Sequence, residues 1–448
     1  MKNSVLIVLI FLANLSYSQS YIGYSTDNYN GLHGVLHNPG AISDSRTKID
    51  INIFSSSTLI ATDYTHLTLN NLTNILGDNG LDEIERFPSN NNEILMNIDL
   101  LGPSFMFSLN EQSSIGLITR VRIASNFNDV NGELFEGIYD GFPEDNFNFQ
   151  QENLDYTTHA WGEIGVTYGR VLLKNSNNLL KAGVALKYLI GGGAVQGSSN
   201  SLNGNYDLNT NQVTLSGDFS QAISFSDDQD SEDYFSELSP GFGTDIGFVY
   251  EYRTDNSLAA SNNNNPRAFN QYKLKIGLSI LDLGSINYKD AEITDYTVNA
   301  DVNAQDLEDD FIETLENNGT QTTRNESVKI SLPTSLQLNI DYNLHKKFYL
   351  NLDVNQSLVS KDSFFNNNRL NLITLTPRYE SRIFAAYLPI SSSSLGKTAI
   401  GAGIRLGPLV LGSGTLFSNL SKKSNVANIY AGFKIPIYHK RKIKNSQL

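Results

Sequence analysis

Hydrophobic and polar residues alternate one by one along much of the chain. In the segment YKLKIGLSI, residues 272–280, five apolar side chains occupy every second position, and Lys273 and Lys275 lie between them. Successive side chains of a β-strand point to opposite faces, so this period predicts a strand with one apolar and one polar face. The same alternation occurs in residues 48–54, 114–123, 180–190, 335–344, 348–354, 399–406 and 429–438.

With weaker runs included, the pattern predicts about fourteen strands. They begin near residues 48, 94, 113, 157, 179, 240, 271, 328, 346, 370, 382, 397, 408 and 425. Many exceed the usual strand length of about 5 to 6 residues, and a membrane-crossing strand needs roughly 9 to 11. Short turns near residues 345, 380 and 407 contrast with long polar connections at residues 62–93, 125–155, 194–239, 254–270 and 287–327. Short turns on one rim and long loops on the other are typical of an outer-membrane barrel.

Two architectures account for such strands, a soluble β-sandwich and a membrane barrel. A sandwich also alternates, with its polar residues outward, but an ordinary one has about seven strands. In lipid a sheet must leave no unpaired edge, so we expect an all-β fold, a closed transmembrane antiparallel β-barrel with its polar set enclosed. This interpretation places these charged residues in the lumen: Asp50, Arg120, Arg122, Lys181, Lys187, Lys273, Lys275, Asp341, Asp353, Arg405 and Lys434. Because a buried charge needs a partner, a structural network of ion pairs is favoured over a lining for a solute path.

Aromatic residues cluster near the ends of the predicted strands. The sequence has 22 Tyr, 23 Phe and one Trp. The residues at strand ends include Tyr168, Tyr188, Tyr250, Tyr288, Tyr342, Phe348, Tyr430 and Tyr438. Such side chains form girdles where a membrane barrel meets water, so this distribution also favours the barrel.

The first residues have the pattern of a secretory signal peptide. Lys2 precedes nine apolar residues, Val5 to Ala13, and then small polar residues. This pattern predicts export and cleavage near Ser18 to Ser20. Nine apolar residues are too few to span a bilayer, which needs about 20. The outer membrane is therefore the expected location of the mature chain.

The amino-acid composition argues against several classes of function. With 47 acidic and 32 basic residues the formal net charge is −15, which argues against a nucleic-acid partner. The chain has no cysteine, so disulfides, thiolate metal sites and cysteine nucleophiles are excluded.

Five segments resemble a family of outer-membrane barrels from Bacteroidota that has no assigned function. The segments are VLHNPGAISDSRTKIDINI, LLGPSFMFSL, SPGFGTDIGFVYEY, YKLKIGLSILDLGSINY and LPTSLQLNIDYNL. That family is similar in pattern to the long-chain fatty-acid transporter superfamily, whose barrels have fourteen strands, and to the barrel subunit that shuttles cargo in type IX secretion. The resemblance covers nearly the whole mature chain, and it implies a fold rather than an activity because its motifs are structural.

The resemblance also implies a role for three residues before the first strand. In the transporter superfamily an Asn-Pro-Ala/Gly element belongs to an N-terminal plug in the lumen, and Asn38, Pro39 and Gly40 match it. Pro fixes one dihedral angle, Gly permits a sharp turn, and an Asn side chain bonds its own backbone, so the match is physically sensible. An ordinary turn before a strand accounts for the same residues. The superfamily's hydrophobic substrate pocket has no residue-by-residue match here, which counts against lipid transport.

Other motifs do not predict a catalytic or metal site. His33 and His37 have helical ligand spacing, but GLHGVLHNPG is rich in Gly and Pro, so we expect no helix and no metal. The three glycines at residues 191–193 lack the Lys and Ser/Thr of a phosphate loop, and a kinked or crowded strand end is expected. The acidic run at residues 227–233 has oxygen ligands that could hold Ca²⁺, but it lacks a loop-closing glycine, so a solvated loop is expected. No catalytic constellation stands out, and neither an enzyme nor a cofactor is predicted.

The sequence therefore predicts a signal peptide over residues 1–19 and an N-terminal plug segment over residues 20–47. One barrel follows over residues 48–438, with short helices in its long loops, and a basic tail ends the chain over residues 439–448. Outer-membrane lipid is the expected surrounding of this barrel.

Two function hypotheses follow. The first is passage of a hydrophobic or amphipathic small molecule, by a lateral or luminal path. The second is a non-transporting barrel that acts as scaffold or cargo partner in secretion, gliding or surface assembly, with an envelope or secretion-machinery protein as partner. An apolar pocket that reaches a gap in the wall would favour the first, and a sealed lumen with an apolar patch on the long loops would favour the second.

Overall fold

The computed structural model describes residues 20–75, 81, 84–224, 238–254, 265–360, 367–421 and 424–440. Three predictions fall largely outside these ranges and stay predictions. They are the signal peptide over residues 1–19, the acidic loop at residues 227–233 and the basic tail over residues 439–448.

Within the described residues, nineteen strand segments form one antiparallel sheet. They are β1 Thr47–Thr62, β2 Asn92–Leu101, β3 Ser104–Ser108, β4 Ser113–Val130, β5 Phe147–Lys174, β6 Asn178–Asp207, β7 Gln212–Ile223, β8 Ser239–Arg253, β9 Tyr272–Asn303, β10 Gly319–Ser331, β11 Ser335–His345, β12 Phe348–Ser357, β13 Leu372–Glu380, β14 Phe384–Tyr387, β15 Ile390–Ser393, β16 Thr398–Ile400, β17 Ala402–Leu406, β18 Leu409–Ser413 and β19 Val426–Tyr438. The helices are α1 Leu32–His37, α2 Leu69–Ile75, α3 Gly132–Asp140, α4 Ala304–Asp309, α5 Phe311–Asn318 and α6 Leu416–Leu420, with 3₁₀ turns at Pro39–Ile42 and Pro266–Ala268.

These segments occupy fourteen positions around a closed barrel. Five positions are each shared by two consecutive segments: β2 with β3, β7 with β8, β10 with β11, β14 with β15, and β16 with β17. β1 pairs with β19 from Thr47 opposite Tyr438 to Ala61 opposite Val426, so the first and last strands close the ring. The prediction of an all-β antiparallel barrel of about fourteen strands is confirmed.

The two faces of the wall differ as the alternation requires. On β6, Leu186 is 65% exposed, whereas its neighbour Lys187 is buried. On β19, Ile429 and Phe433 are exposed, whereas Lys434 is fully buried. A closed sheet with an apolar outside and a polar inside pairs its backbone groups within the wall, which is what a membrane demands.

The two rims of the barrel also differ. Turns of two to four residues join β3 to β4, β5 to β6, β11 to β12, β13 to β14 and β17 to β18 on one rim, the short-turn rim. The opposite, long-loop rim carries helices α2 to α6. None of the helices among the described residues has the length and apolar character that crossing a membrane requires.

Much of the sequence predicted to form long connections is strand. β5, β6 and β9 have 28, 30 and 32 residues, whereas β11, β12 and β13 have 11, 10 and 9. The predictions of loops at residues 125–155, 194–239 and 287–327 are therefore largely wrong. Their polar composition is misleading because one face of this sheet is in water and the other is covered by helices.

We name this taller part the raised wall and define it as residues 131–160, 193–223 and 289–331. It has its own apolar core, in which Leu215, Val298 and Leu315 are fully or almost fully buried. Helices α3, α4 and α5 contribute Leu134, Leu307 and Leu315 to that core. The prediction of short helices in the long loops is confirmed by α3, α4 and α5, which lie within residues 131–142 and 304–318.

Predictions for three tyrosines and three glycines differ from the structure. Tyr288 and Tyr430 are buried, and the ring of Tyr438 lies 5.8 Å from the ring of Tyr29, so these tyrosines do not belong to an outer girdle. Residues 191–193 do not end a strand, because β6 runs through them. A register shift there pairs Ala160 with Gly193 and Trp161 with Gly191, so the extra glycine is accommodated as a bulge.

Candidate functional site

The N-terminal segment, residues 20–46, is buried almost throughout and contacts luminal side chains of many strands. It contains α1 and the 3₁₀ turn Pro39–Ile42. The side chain of Asn38 caps that turn by accepting a hydrogen bond from the backbone N–H of Gly40 at 2.9 Å. Pro39 at the first position of the turn is favourable because its missing N–H has no partner to lose there.

Asn38, Pro39 and Gly40 lie directly against the wall at a row of glycines. Gly169, Gly183 and Gly247 are paired neighbours on β5, β6 and β8. A Cβ at Gly183 would lie less than 3.0 Å from backbone atoms of Pro39 and Gly40. Backbone therefore packs on backbone here, which only glycine permits.

Asn38 also bonds to the wall itself. Its Nδ2 donates to the carbonyl oxygens of Phe248 at 3.0 Å and Leu278 at 3.2 Å. One side chain thus fixes the turn and ties it to β8 and β9. The proposed plug function of these residues remains a proposal, but they belong to a built contact and not to a free turn.

Charged side chains tie the N-terminal segment to the opposite part of the wall. The carboxylate of Asp27 accepts from Nε of Arg405 at 2.9 Å, and both side chains have no exposed surface. Nζ of Lys434 donates to the carbonyl oxygens of Tyr29 at 2.9 Å and Asn30 at 2.7 Å. The same Nζ lies 3.0 Å from the carboxylate of Asp50.

The histidines are on a helix, so the prediction of no helix at this point is wrong. His33 and His37 lie at the second and last positions of α1, and both are buried. Nε2 of His33 lies 3.1 Å from Oγ of Ser55, whereas Nε2 of His37 lies 2.9 Å from the carboxylate of Asp353. The two rings thus contact different strands, β1 and β12, and do not converge on a shared site.

An ion network fills the upper lumen. The network joins four cationic and four carboxylate side chains from seven elements of the structure. They are Arg120, Arg122, Lys187, Arg369, Asp99, Glu163, Asp245 and Asp282. Asp282 is the centre, because its carboxylate contacts Arg122 at 2.9 Å, Lys187 at 2.6 Å and also Arg369. The charges balance, as buried charges must.

Two smaller networks lie nearer the short-turn rim. In one, Lys181 contacts Glu251 at 3.0 Å, and Arg253 links Glu251 to Asp44 of the N-terminal segment. In the other, the carboxylate of Asp341 lies 3.3 Å from Nζ of Lys275 and 2.6 Å from Arg378.

Lys273 is the exception among the residues predicted to face the lumen. A register shift at Tyr272 puts the hydroxyl of that tyrosine on the carboxylate of Asp341 in the lumen. Lys273 instead lies over the ring of Tyr342, 4.4 Å from its centroid, and that ring is exposed. The alternation predicted from residues 272–280 is therefore wrong for its first two residues, because a bulge resets it.

A loop crosses the lumen above the upper network. Residues 367–371 precede β13, the tenth strand position, and Nδ2 of Asn367 donates to the carbonyl oxygens of Ala124 at 3.2 Å and Thr157 at 3.0 Å. Those acceptors belong to the third and fourth positions, on the other side of the barrel. We name residues 367–371 the luminal strap. Its Arg369 reaches down to Asp282.

Above the strap a cavity of about 830 Å³ opens at the long-loop rim. Its aliphatic lining residues are Ile94, Leu95, Leu358, Val359, Leu370 and Leu395. The rest of its lining is mostly amides and hydroxyls, and Arg369 reaches it as well. Two cavities below Arg369 are small and polar, one of about 20 Å³ beside Asp282 and one of about 70 Å³ beside Lys275. We name the large cavity the vestibule.

The vestibule shares Leu95 and Leu370 with an apolar cluster on the inner wall. Buried members of this cluster are Ile22, Leu59, Ala61, Leu95, Val354, Leu370, Leu372 and Val426. Ile22 of the N-terminal segment packs on Gly414, where a Cβ would lie 2.7 Å from its side chain.

The wall is irregular behind Ile22. β18 ends at Ser413, so within the part of the chain that the structure describes, residues 426–429 of β19 have no β18 partner and β16 pairs only with β15. Helix α6 fills the resulting wedge through side-chain bonds: Asn419 donates to the carbonyl of Val426 at 2.9 Å, and Ser418 accepts from the N–H of Ile400 at 2.8 Å. Two residues of α6, Phe417 and Leu420, are exposed.

Sequence reasoning missed nine charged residues of the wall and the luminal strap that pair within these networks. These are Asp99, Glu163, Asp245, Glu251, Asp282, Arg253, Arg369, Arg378 and Glu380. Several of them occupy the polar positions of alternating strands, which is the signal that could have found them. The strap residue Arg369 has no such signal, because it lies in a loop.

No curated protein matches the sequence. Among solved structures, the Pseudomonas putida toluene transporter TodX is 9% identical with a TM-score of 0.46, over 92% of this chain and 95% of that one. The Ralstonia pickettii toluene transporter TbuX is 10% identical with a TM-score of 0.44, over 95% of this chain and 100% of that one. Both TM-scores are below 0.5, so neither likeness carries an argument about this chain. The sequence profile described as "Family of unknown function (DUF5723)" matches residues 39–414, most of the chain, and the protein therefore belongs to the DUF5723 family.

Proposed function

We propose that the barrel lies in the outer membrane and takes up a hydrophobic or amphipathic small molecule at its long-loop rim. The observation that carries this proposal is the vestibule, whose aliphatic lining shares Leu95, Leu370 and Leu395 with the cluster around Ile22. Its volume of about 830 Å³ is within the range of small-molecule sites, about 300–1,000 Å³. The outer-membrane location is supported by the apolar outside of the closed wall.

The path that we propose leads sideways into the membrane. Straight passage is disfavoured because the charged network and the N-terminal segment fill the lumen, leaving polar cavities of about 20 and 70 Å³. At Gly414, by contrast, Ile22 packs on the wall from inside, and helix α6 spans the wedge between β16 and β19. The wedge lacks ladder hydrogen bonds, so opening it breaks few backbone pairs.

A reversible cross-link tests the path. Ile400→Cys with Ser418→Cys would tie α6 to β16, in a chain that has no other cysteine. We expect uptake of the hydrophobic dye N-phenyl-1-naphthylamine into proteoliposomes to fall after oxidation and to recover after reduction. Each single-cysteine variant is the control. Equal uptake in the oxidised and reduced double variant, with the disulfide verified, would reject the lateral path.

Two alanine-to-phenylalanine substitutions, one in the apolar cluster and one elsewhere in the wall, test the vestibule path separately. Ala61 is buried in the cluster around Ile22, and Ala222 is buried in another apolar cluster, beside Ile293. Ala61→Phe is expected to slow dye uptake severalfold, whereas Ala222→Phe is expected to leave it unchanged. Equal dye uptake by the two variants would show that the apolar cluster around Ile22 is not part of the path.

A second candidate function is a scaffold or cargo partner at the cell surface. It is supported by the filled lumen and by the raised wall, which is much taller than the membrane requires. Under this alternative the purified barrel carries no dye, and a partner protein co-purifies with it through the raised wall.

Removal of residues 20–40 is expected to increase ion leak if the N-terminal segment acts as a plug.

A further inference from the structure

The raised wall ends in an open sheet edge. β10 pairs with β9 from Gly319 opposite Val298 to Ser331 opposite Ser285. Among the described residues, β9 is the sole strand neighbour of β10, and the next strand, β12, pairs with β11 below it. Between Gly319 and Glu326, the N–H and C=O groups of β10 that point away from β9 are therefore available for another strand.

The upper part of this edge is suited to pairing. From Gly319 to Glu326 the register is regular, and a shift follows between Glu326 and Val328. All these residues are exposed or partly exposed. Thr320 to Thr323 carry no charge and no proline, the features that would disfavour an added strand.

The positive charge of Arg324, which would disfavour an added strand at this edge, is paired with carboxylates. Charged side chains often protect edge strands, and Arg324 stands in the pairing stretch. Its guanidinium contacts Asp295 on β9, and its Nε lies 3.3 Å from the carboxylate of Glu326. Arg324 is thus held by acidic partners of the wall, and Lys329 lies beyond the register shift.

The raised wall also carries the negative charge of the whole molecule. Its three ranges, residues 131–160, 193–223 and 289–331, contain 20 acidic and 3 basic residues, against 47 and 32 in the full sequence. The rest of the chain is nearly neutral. Exposed carboxylates of α4 and α5, including Asp309 and Glu313, lie at the turn that leads into β10.

We propose that the open edge of β10, between Gly319 and Glu326, binds an extended, positively charged segment of a partner protein as an additional strand. Main-chain hydrogen bonds would supply the affinity of such strand addition, and the acidic wall would select and attract a basic segment. A second copy of this chain is disfavoured as the occupant because two strongly acidic walls repel each other. This inference does not depend on transport.

The direct test uses a 12-residue peptide that alternates threonine and lysine, labelled with a fluorophore. Fluorescence anisotropy with the purified full-length barrel is expected to show binding that weakens as salt rises. The same peptide with alternate N-methylated residues keeps its charge but cannot pair, and we expect at least about tenfold weaker binding, which corresponds to about 1.4 kcal/mol. A threonine–glutamate peptide is expected not to bind.

Two adjacent proline variants locate the site on β10. Successive N–H groups of a strand point to opposite sides, so either Gln321 or Thr322 directs its N–H to the open edge. Of Gln321→Pro and Thr322→Pro, the one that spares the β9 ladder is expected to keep the wild-type melting temperature. That variant is expected to lose peptide binding at least about tenfold. Asp309→Asn with Glu313→Gln is expected to weaken binding and flatten its salt dependence.

Three results would overturn the proposal. One is the absence of binding by the threonine–lysine peptide. Another is equal binding by the N-methylated peptide, or by the stable proline variant, because charge alone would then account for it. The third is a stable dimer of the barrel that the stable proline variant converts to a monomer, because a second copy would then occupy the edge.

Discussion

Replacing Gly183 by alanine is the sharpest perturbation of the contact between the N-terminal segment and the wall. The added Cβ would lie less than 3.0 Å from the carbonyl group of Pro39 and from the nitrogen of Gly40. These are backbone atoms, which cannot swing aside as the end of a side chain can. The N-terminal segment must therefore move away from β6.

The contacts give the size of the effect. Overpacking a well-packed interior costs about 1–3 kcal/mol. The movement also weakens the two bonds from Asn38 to the carbonyls of Phe248 and Leu278, each worth about 1 kcal/mol. Docking of the segment should thus lose about 2–4 kcal/mol, a factor of about 30 to 1,000 in its docking equilibrium.

Gly165→Ala is the matched control, because Gly165 is also buried on the inner face of the wall, but its added Cβ would lie 3.6 Å from the nearest side-chain atom. Protease cleavage within residues 20–46 and ion conductance across planar bilayers measure undocking. Gly183→Ala should increase both, whereas Gly165→Ala should change neither. Equal behaviour of the two variants, with both barrels folded, would refute the reasoning.

Three further predictions concern buried groups. Arg405→Leu leaves the carboxylate of Asp27 buried without its cation, so the free energy of unfolding in urea should fall by about 3–5 kcal/mol. The double variant Asp27→Leu, Arg405→Leu should recover part of that loss. An unchanged urea midpoint in the single variant contradicts this prediction. Burial, reinforced by the charge of Lys434, lowers the pKa of His33 to about 3, so an undocked segment binds a proton more readily than a docked one. Docking of the N-terminal segment should therefore weaken as pH falls below about 6.5, by up to about 1.4 kcal/mol per pH unit. Ion conductance should rise over that pH range in the wild type and rise less in His33→Gln. Parallel conductance profiles of the two proteins contradict this prediction. Asn367→Ala removes the bonds of the luminal strap to Ala124 and Thr157 and should speed hydrogen exchange in residues 367–371, whereas exchange at the wild-type rate would show that these bonds do not hold the strap.

The barrel could be predicted from the sequence because its outer face repeats one simple rule. Each crossing needs an apolar side chain at every second position, as in residues 180–190, and the closed sheet follows from backbone pairing in lipid. Lys187 and Lys434 were assigned to the lumen by that rule alone. Lys273 was misassigned because one bulge shifts the alternation, and a bulge has no reliable signature in a single sequence.

The inside of the barrel was less predictable. Which charge meets which depends on strand order and register, so the meeting of Arg122 and Asp282, 160 residues apart, could not be read from spacing. The sequence of the raised wall predicts loops because its solvent face is polar, and its apolar face becomes evident only when α3 to α5 cover it. The wedge at Gly414 depends on where β18 stops pairing, which a short apolar run does not indicate.

Quenching of tryptophan fluorescence by brominated lipids tests most directly whether the apolar face contacts acyl chains and the polar face is enclosed. The chain has one tryptophan, Trp161, which is 2% exposed inside the barrel, whereas Leu186 is 65% exposed outside. In reconstituted membranes the fluorescence of native Trp161 should resist quenching, and Leu186→Trp in a Trp161→Phe background should be strongly quenched. Strong quenching of Trp161, or none at position 186, would contradict the closed barrel in lipid.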